Sequence, residues 1–323
     1  MQRIGLRLIC AVTMAAGALI GPARSGEPYW PDQLTIATAS PGGTYYVYGE
    51  GLAKLLTRAL DLPVTMRPTE GPAQNIELLE AGETKLAFVT TGIALHAWNA
   101  SGAWTGRKPA RAMRAIFPMF DTPFHLLVLQ DSGIRSLAEA AGKRIGVGPH
   151  GGTTAAYVPD FLAALKIPAS YVFGDWSDLA TQMHGRSLDM LAVAAGVPFP
   201  SFIELEAKDK VRYVAFTPDQ VAALRLALPE LTPSLIAAGT YPSLVRNYQT
   251  VGLYNFAVAH EGLPSDLVFR AVKAVFDNHE QLVEVHAAAA ATVPSNMARN
   301  TFLPLHPGAI RYYARIGGAG LGD

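Results

Sequence analysis

Two stretches of the chain repeat one arrangement: Leu34-Thr-Ile-Ala-Thr-Ala-Ser-Pro-Gly-Gly-Thr44 and Arg144-Ile-Gly-Val-Gly-Pro-His-Gly-Gly-Thr-Thr154. Each is a short apolar run, a proline, a Gly-Gly-Thr and then a helical pattern. Glycines let the backbone approach a ligand closely, threonine supplies a hydroxyl, and the first unpaired N–H groups of a helix project from the positive end of its dipole. The guest suited to such loops is an anion, and a matching pair points to a small carboxylate held between two lobes. Taken singly, either loop is also ordinary turn chemistry with a helix cap. Recurrence in matching contexts is what favours a paired site.

The elements that must position these loops are legible from periodicity. After Thr44 the apolar residues Leu52, Leu55, Leu56 and Ala59 recur at helical spacing, as do Val158, Phe161, Leu162 and Leu165 after Thr154. Strands are predicted at Leu34 to Thr38, Val64 to Arg67, Leu86 to Thr90, Arg144 to Val147, Tyr171 to Phe173, Met190 to Ala194 and Val211 to Ala215. Helices fall between them, among them Ala73 to Glu80 and Trp176 to His184, the second with Asp175 placed to cap it. This alternation predicts an α/β protein. Phe124 to Gln130 and Leu253 to His260 read as extended segments crossing between interleaved lobes, one lobe being residues 26–122 plus 255–323 and the other 123–254. Two simple consecutive domains are the alternative.

Arg3 and Arg7 precede an apolar run from Leu8 to Ile20, and Ala23-Arg-Ser25 offers small residues for cleavage, so residues 1–25 read as a secretory signal. The apolar run is shorter than the roughly 20 residues a membrane span needs. Cys10, the single cysteine, lies within this leader, so the mature chain is expected to hold neither disulfide nor thiolate metal site. Removal of Arg3, Arg7 and Arg24 lowers the basic count from 26 to 23 against 26 acidic residues, a net charge of −3 with His neutral. That balance gives no support to nucleic-acid binding or to a polybasic membrane-surface role.

Five motifs in order make the chain resemble the solute-binding proteins of tripartite ATP-independent periplasmic (TRAP) transporters, in their TAXI branch. They are Ser40-Pro-Gly-Gly-Thr-Tyr-Tyr46, Thr69-Glu-Gly-Pro-Ala-Gln-Asn75, Ser132-Gly-Ile-Arg-Ser-Leu137 leading to Gly142-Lys-Arg-Ile-Gly-Val-Gly148, Leu188-Asp-Met190 through Gly196-Val-Pro198, and His306-Pro-Gly-Ala-Ile-Arg-Tyr-Tyr313. The resemblance implies a two-lobed periplasmic-binding-protein type II fold that closes on its ligand and delivers it to TRAP membrane subunits. It places binding residues at Ser40, Gly42, Gly43, Thr44 and Tyr45, and at Gly148, Gly151, Gly152, Thr153 and Thr154, with Thr90, Thr91 and Gly196 as further edges of the cleft. Phe124, His125, Asp175 and Trp176 are expected near it, with a structural role for His125 and helix capping for Asp175 as the competing readings. The protein is expected to be periplasmic and monomeric, with no catalytic residue, metal or cofactor.

One departure from the family pattern bears on the ligand. The third strand runs into Val89-Thr-Thr-Gly92 where relatives commonly carry an Asp, and Lys85 replaces an acidic residue before it. If that Asp holds an amino group, its loss predicts a carboxylate without an α-ammonium, such as a dicarboxylate or oxo acid, in preference to glutamate. An arginine anchor is not required, with Arg67 and Lys85 as the basic residues within reach. Competing classes have weaker support. Gly146-Val-Gly-Pro-His-Gly151 fits the dinucleotide fingerprint, but the matching loop at Ser40 lacks it. No G-x-S-x-G elbow or H-E-x-x-H is present, and His279 and His286 with Glu280 and Glu284 read as a solvated helix face rather than a metal site. An ABC-type receptor or a periplasmic sensor subunit would share the same fold and cleft.

Overall fold

The computed structural model describes residues 29–317 of the 323. The expected leader, with Cys10, lies outside the described residues. Strand and helix alternate from the start: β1 (Leu34–Ala37), α1 (Thr44–Leu60), β2 (Val64–Arg67), α2 (Pro72–Glu80), β3 (Leu86–Thr90) and α3 (Thr91–Asn99), then a long strand β4 (Met113–Leu129). A second series follows with β5 (Arg144–Gly146), α4 (Thr153–Ala164), β6 (Ser170–Val172), α5 (Trp176–His184), β7 (Met190–Ala194), α6 (Pro200–Glu206), β8 (Val211–Tyr213), α7 (Pro218–Ala227) and β9 (Thr232–Ile236). A second long strand, β10 (Tyr248–His260), leads to α8 (Ser265–Asp277), α9 (His279–Val285) and α10 (Pro307–Arg315).

Local chemistry accounts for the elements around the loops. The apolar stripe of α1 is buried at Leu52, Leu55 and Leu56, and Pro72 opens α2 at the position where a missing N–H costs nothing. All five residues of β3 are buried, as expected of a strand covered on both faces. β2, β1 and β3 pair in parallel, with Leu34 opposite Val64 and Ile36 opposite Leu86. β6, β5 and β7 form a second parallel set, with Ile145 opposite Met190. In such sheets the crevice lies beyond the carboxyl ends of the strands, where the following helices begin.

The two long strands join these sets, giving the sheet order β2-β1-β3-β10-β4-β7-β5-β6. Residues of β4 up to Pro123 pair with β10, whereas Phe124 to Leu127 pair with β7 and Leu127 to Leu129 with β8. In β10, Tyr248 to Gly252 pair with β9 and Asn255 to Ala259 with β3. Both strands therefore change partners at one level of the molecule, and the register between them shifts there, between Tyr254 and Phe256. The expected crossing segments are the carboxyl-terminal parts of β4 and β10. The strands themselves are longer, because Pro118 and Pro123 sit inside β4 and mask its first half in the sequence.

The result is a two-lobed α/β fold whose buried apolar residues form one continuous cluster. Under the first lobe's helix start, Tyr45 and Tyr48 of α1 pack edge-on to Phe88 of β3 at centroid distances of 5.3 and 5.6 Å. In the second, Phe124 packs on Phe161 and Tyr157 of α4 at 4.6 and 5.8 Å. These aromatic layers fix the height at which α1 and α4 begin.

Candidate functional site

A cavity of about 50 Å3 lies between the lobes, where the first turns of α1, α2, α3, α4 and α5 meet. The two Gly-Gly-Thr loops face each other across it. Gly43 and Gly152 cap α1 and α4 with nearly identical backbone angles, φ −96°, ψ 156° and φ −85°, ψ 155°. Each is set by the same turn, the Gly43 N–H donating to the Ser40 carbonyl at 3.3 Å and the Gly152 N–H to the Pro149 carbonyl at 3.0 Å. Neither helix start has a side-chain cap. The amides of Thr44, Tyr45, Thr153 and Thr154 find no acceptor among the described residues, and helix geometry projects them from the helix ends toward the cavity these residues line.

The threonine hydroxyls do something the sequence did not suggest. The Thr44 hydroxyl donates to the Gly196 carbonyl across the cleft at 2.7 Å, and those of Thr90 and Thr153 are 3.0 Å apart. They tie the lobes together, whereas the main-chain amides beside them stay unpaired. Further bonds cross the same seam: the Ala73 N–H to the Gly151 carbonyl at 3.0 Å, the Gly151 N–H to the Glu70 carboxylate at 3.1 Å, and the Ser201 hydroxyl to the Gly42 carbonyl at 2.9 Å. Gly71, at φ 128°, stands where a Cβ would lie 3.0 Å from the Gly152 Cα, so this approach of backbone to backbone requires glycine.

Polar side chains complete the floor. The Tyr45 hydroxyl donates to Asn255 Oδ1 at 2.5 Å, and Asn255 Nδ2 donates to the Phe120 carbonyl at 2.8 Å and to the Thr122 hydroxyl. Burial pushes the Tyr45 phenol well above its ordinary range, so it stays a neutral donor. Among the described lining residues there is no Arg, Lys or His, and Glu70 carries the only formal charge.

The sequence profile of one family matches residues 36–317 and thus nearly the whole described chain. The chain belongs to the NMT1-like family. Solved structures similar in fold include the periplasmic binding protein BugD, 15% identical over 90% of this chain and 94% of that one with TM-score 0.59. MatC from Rhodopseudomonas palustris with bound malate is likewise 15% identical, over 90% and 98%, with TM-score 0.58. A structure described as a periplasmic transporter is 16% identical over 90% and 94%, with TM-score 0.56. These likenesses establish the two-lobed fold of periplasmic solute-binding proteins. Among the described residues no helix is long and apolar enough to cross a membrane.

In this NMT1-like protein the expected site residues divide into two groups. Gly43, Thr44, Tyr45, Thr90, Gly152, Thr153, Thr154 and Gly196 line the cavity, as does Trp176. Ser40, Gly42, Thr91, Gly148 and Gly151 stand behind it. Gly42 and Gly148 take φ of 81° and 78° and pack against Trp176, while the Thr91 hydroxyl accepts the Tyr254 N–H at 3.3 Å. Gly92 does not face the cavity either. It is buried in α3, and a Cβ there would lie 2.1 Å from the Tyr157 hydroxyl of the opposite lobe, so its role is close packing and not ligand selection. Lys85 precedes β3, at the end away from Thr90, and Arg67 pairs with Glu83 at 2.9 Å on an exposed edge.

Three of the expected neighbours are structural. Phe124 lies in the aromatic core of the second lobe. Asp175 occupies the cap position of α5 without a side-chain cap bond. His125 is fully buried, its Nδ1 2.9 Å from the Pro123 carbonyl and its Nε2 2.9 Å from the Tyr241 hydroxyl, which in turn accepts the Phe199 N–H at 2.7 Å. Burial lowers its pKa from 6.5 to about 4, so it is the neutral imidazole that links the crossing strand to the cavity wall at Phe199. His286 departs from the expected solvated face. It is buried and its Nε2 meets the Pro198 carbonyl at 2.9 Å while its Nδ1 accepts the Ala288 N–H, which fixes a neutral tautomer and clasps the Gly196 wall from the other side.

Glu70, Thr122, Phe199 and Asn255 line the cavity without having been singled out. Glu70 lay within a quoted family motif, a signal that was available. Thr122, Phe199 and Asn255 reach the site only through the pairing of β4 with β10 and the fold of the 195–199 wall, which no local pattern encodes.

Proposed function

We propose that this protein is a periplasmic solute receptor that binds a small organic carboxylate between its lobes and hands it to the membrane subunits of a TRAP transporter of the TAXI type. The observation that carries the reading is the meeting of two matching helix starts, with unpaired amides, on one interlobe cavity. Four hydrogen bonds to a charged group at roughly 1.5 to 3 kcal/mol each, with helix ends adding about 0.3 to 1 each, are enough for micromolar affinity of about −8 kcal/mol after association costs. No basic side chain is needed. The binding residues are the loop positions Ser40 to Tyr45 and Gly148 to Thr154, with Thr90, Thr91 and Gly196, the second-rank members supporting the backbone that makes contact. A carboxylate guest accords with the malate held by MatC, a protein of similar fold.

Lobe one comprises residues 26–122 with 255–323 and lobe two residues 123–254, hinged where β4 and β10 exchange partners. The protein acts as a monomer after removal of residues 1–25 and has no catalytic step. Denaturing extraction of the purified protein, followed by mass spectrometry, tests the ligand class: an organic acid released in near-stoichiometric amount supports it, and a released sugar or cation refutes it. The transport assignment is tested separately by whether genes for multi-span TRAP subunits adjoin this one.

A further inference from the structure

The dimensions and charge of the cavity narrow the ligand further, on the premise that it is a carboxylate bound at this site. A cavity of about 150 Å3 lined by apolar groups accommodates benzene, with its six heavy atoms. The present cavity of about 50 Å3 is a third of that. A four- or five-carbon dicarboxylate, or glutamate, would demand that the lobes stand apart and give up the bonds from Thr44 to Gly196 and from Ala73 to Gly151. A carboxylate with a short tail fits with those bonds in place.

Charge points the same way. The unpaired amides of α1 and α4 supply partial positive charge for a single anionic group, and no basic side chain in the lining stands ready for a second. The one formal charge in the lining is negative. Glu70 sits at the rim with its carboxylate on the Gly151 amide, closing the seam between the lobes. A second carboxylate on the ligand would meet it as a like charge at the exposed rim, a repulsion that water weakens without removing.

We infer that this receptor selects a monocarboxylate of one or two carbons and that Glu70 is the residue that discriminates against a second negative charge. This replaces the dicarboxylate or oxo-acid preference expected from Gly92, which does not reach the cavity.

The test is titration calorimetry of the mature protein in carboxylate-free buffer with formate and acetate against lactate, pyruvate, succinate, malate, 2-oxoglutarate and glutamate. At least one short monocarboxylate should bind about tenfold or more tighter than every longer acid, a gap of one logarithmic unit in Kd. In Glu70→Gln the affinity for succinate relative to that for the best monocarboxylate should rise by about three- to tenfold, since only the second charge feels the loss of the carboxylate. Tighter wild-type binding of any longer acid than of both formate and acetate overturns the inference while leaving the carboxylate reading intact. A wild-type preference unchanged in Glu70→Gln overturns the role of Glu70. If no acid in the panel binds and none is extracted from the purified protein, the carboxylate reading fails and takes the inference with it.

Discussion

The Thr44 hydroxyl bridges the two lobes, so Thr44→Ala should loosen closure without weakening the fold. Thr44 is the first residue of α1 and Gly43 is its cap, and alanine is a better helix former than threonine, so the helix itself gains slightly. What is lost is the 2.7 Å bond to the buried Gly196 carbonyl. With the lobes closed, that carbonyl is left without its donor at a cost of about 1 to 3 kcal/mol; with the lobes apart, water satisfies it. The penalty therefore falls on the closed arrangement alone and shifts the closing equilibrium by roughly 5- to 150-fold. Because a ligand held between the lobes binds the closed arrangement, its apparent affinity should fall by up to the same factor. Small-angle scattering should show a larger radius of gyration than wild type, calorimetry with the extracted acid a weaker Kd, and the chemical denaturation midpoint little change. Thr44→Ser keeps the hydroxyl and should behave as wild type. Wild-type scattering and affinity in Thr44→Ala, or equal damage from serine, would refute the bridging role.

Other expectations follow from the same geometry. His125 has a folded pKa of about 4 against an ordinary 6.5, so the unfolded chain takes up a proton that the folded one refuses. Its stabilisation is complete above pH 6.5 and is lost as pH falls through about 4, a change of about 3 kcal/mol that a wild-type Tm series against pH should show and His125→Gln should flatten. Asn75 is fully buried, donates to the carbonyls of Thr38 and Phe88 at 2.8 Å each and accepts from Thr69 at 2.7 Å. Asn75→Leu leaves those groups unpaired and should cost about 3 to 5 kcal/mol, read as a fall of about 10 °C or more in Tm. Gly92→Asp, whose side chain would collide with Tyr157 of the opposite lobe, should weaken every acid by a similar factor; a specific gain for glutamate in a calorimetric panel would contradict this.

The sequence read most clearly where chemistry is local. β1, β2, β3 and β7 lie within one residue of their expected limits, and α5 at its expected limits, because apolar runs, turn residues and helical spacing are short-range signals. The paired loops were legible for the same reason, since Pro, Gly and Thr in a fixed order encode one backbone path. Direction within the site was not. Nothing in Gly-Gly-Thr says whether the hydroxyl serves a guest or the opposite lobe, and the answer depends on Gly196, more than 150 residues along the chain. His286 misled because a histidine beside Glu280 and Glu284 looks solvated until α9 ends and turns it onto Pro198. Gly92 misled because its neighbour Tyr157 arrives from α4, which no alignment of β3 could reveal.

Recognition through main-chain amides, as proposed for this chain, has a consequence for how such a receptor would drift over generations. A donor that belongs to the peptide bond survives almost any codon change at its own position, because every residue except proline carries the same N–H. The contact proposed for the Thr44 and Tyr45 amides would thus be inherited with the path of the chain rather than with the letter written there. Lineages can diverge until little of the text is shared and still grip the same chemical group, while the breadth of what they accept is rewritten by the few side chains at the rim. In such a lineage, the informative comparison is which positions have never become proline.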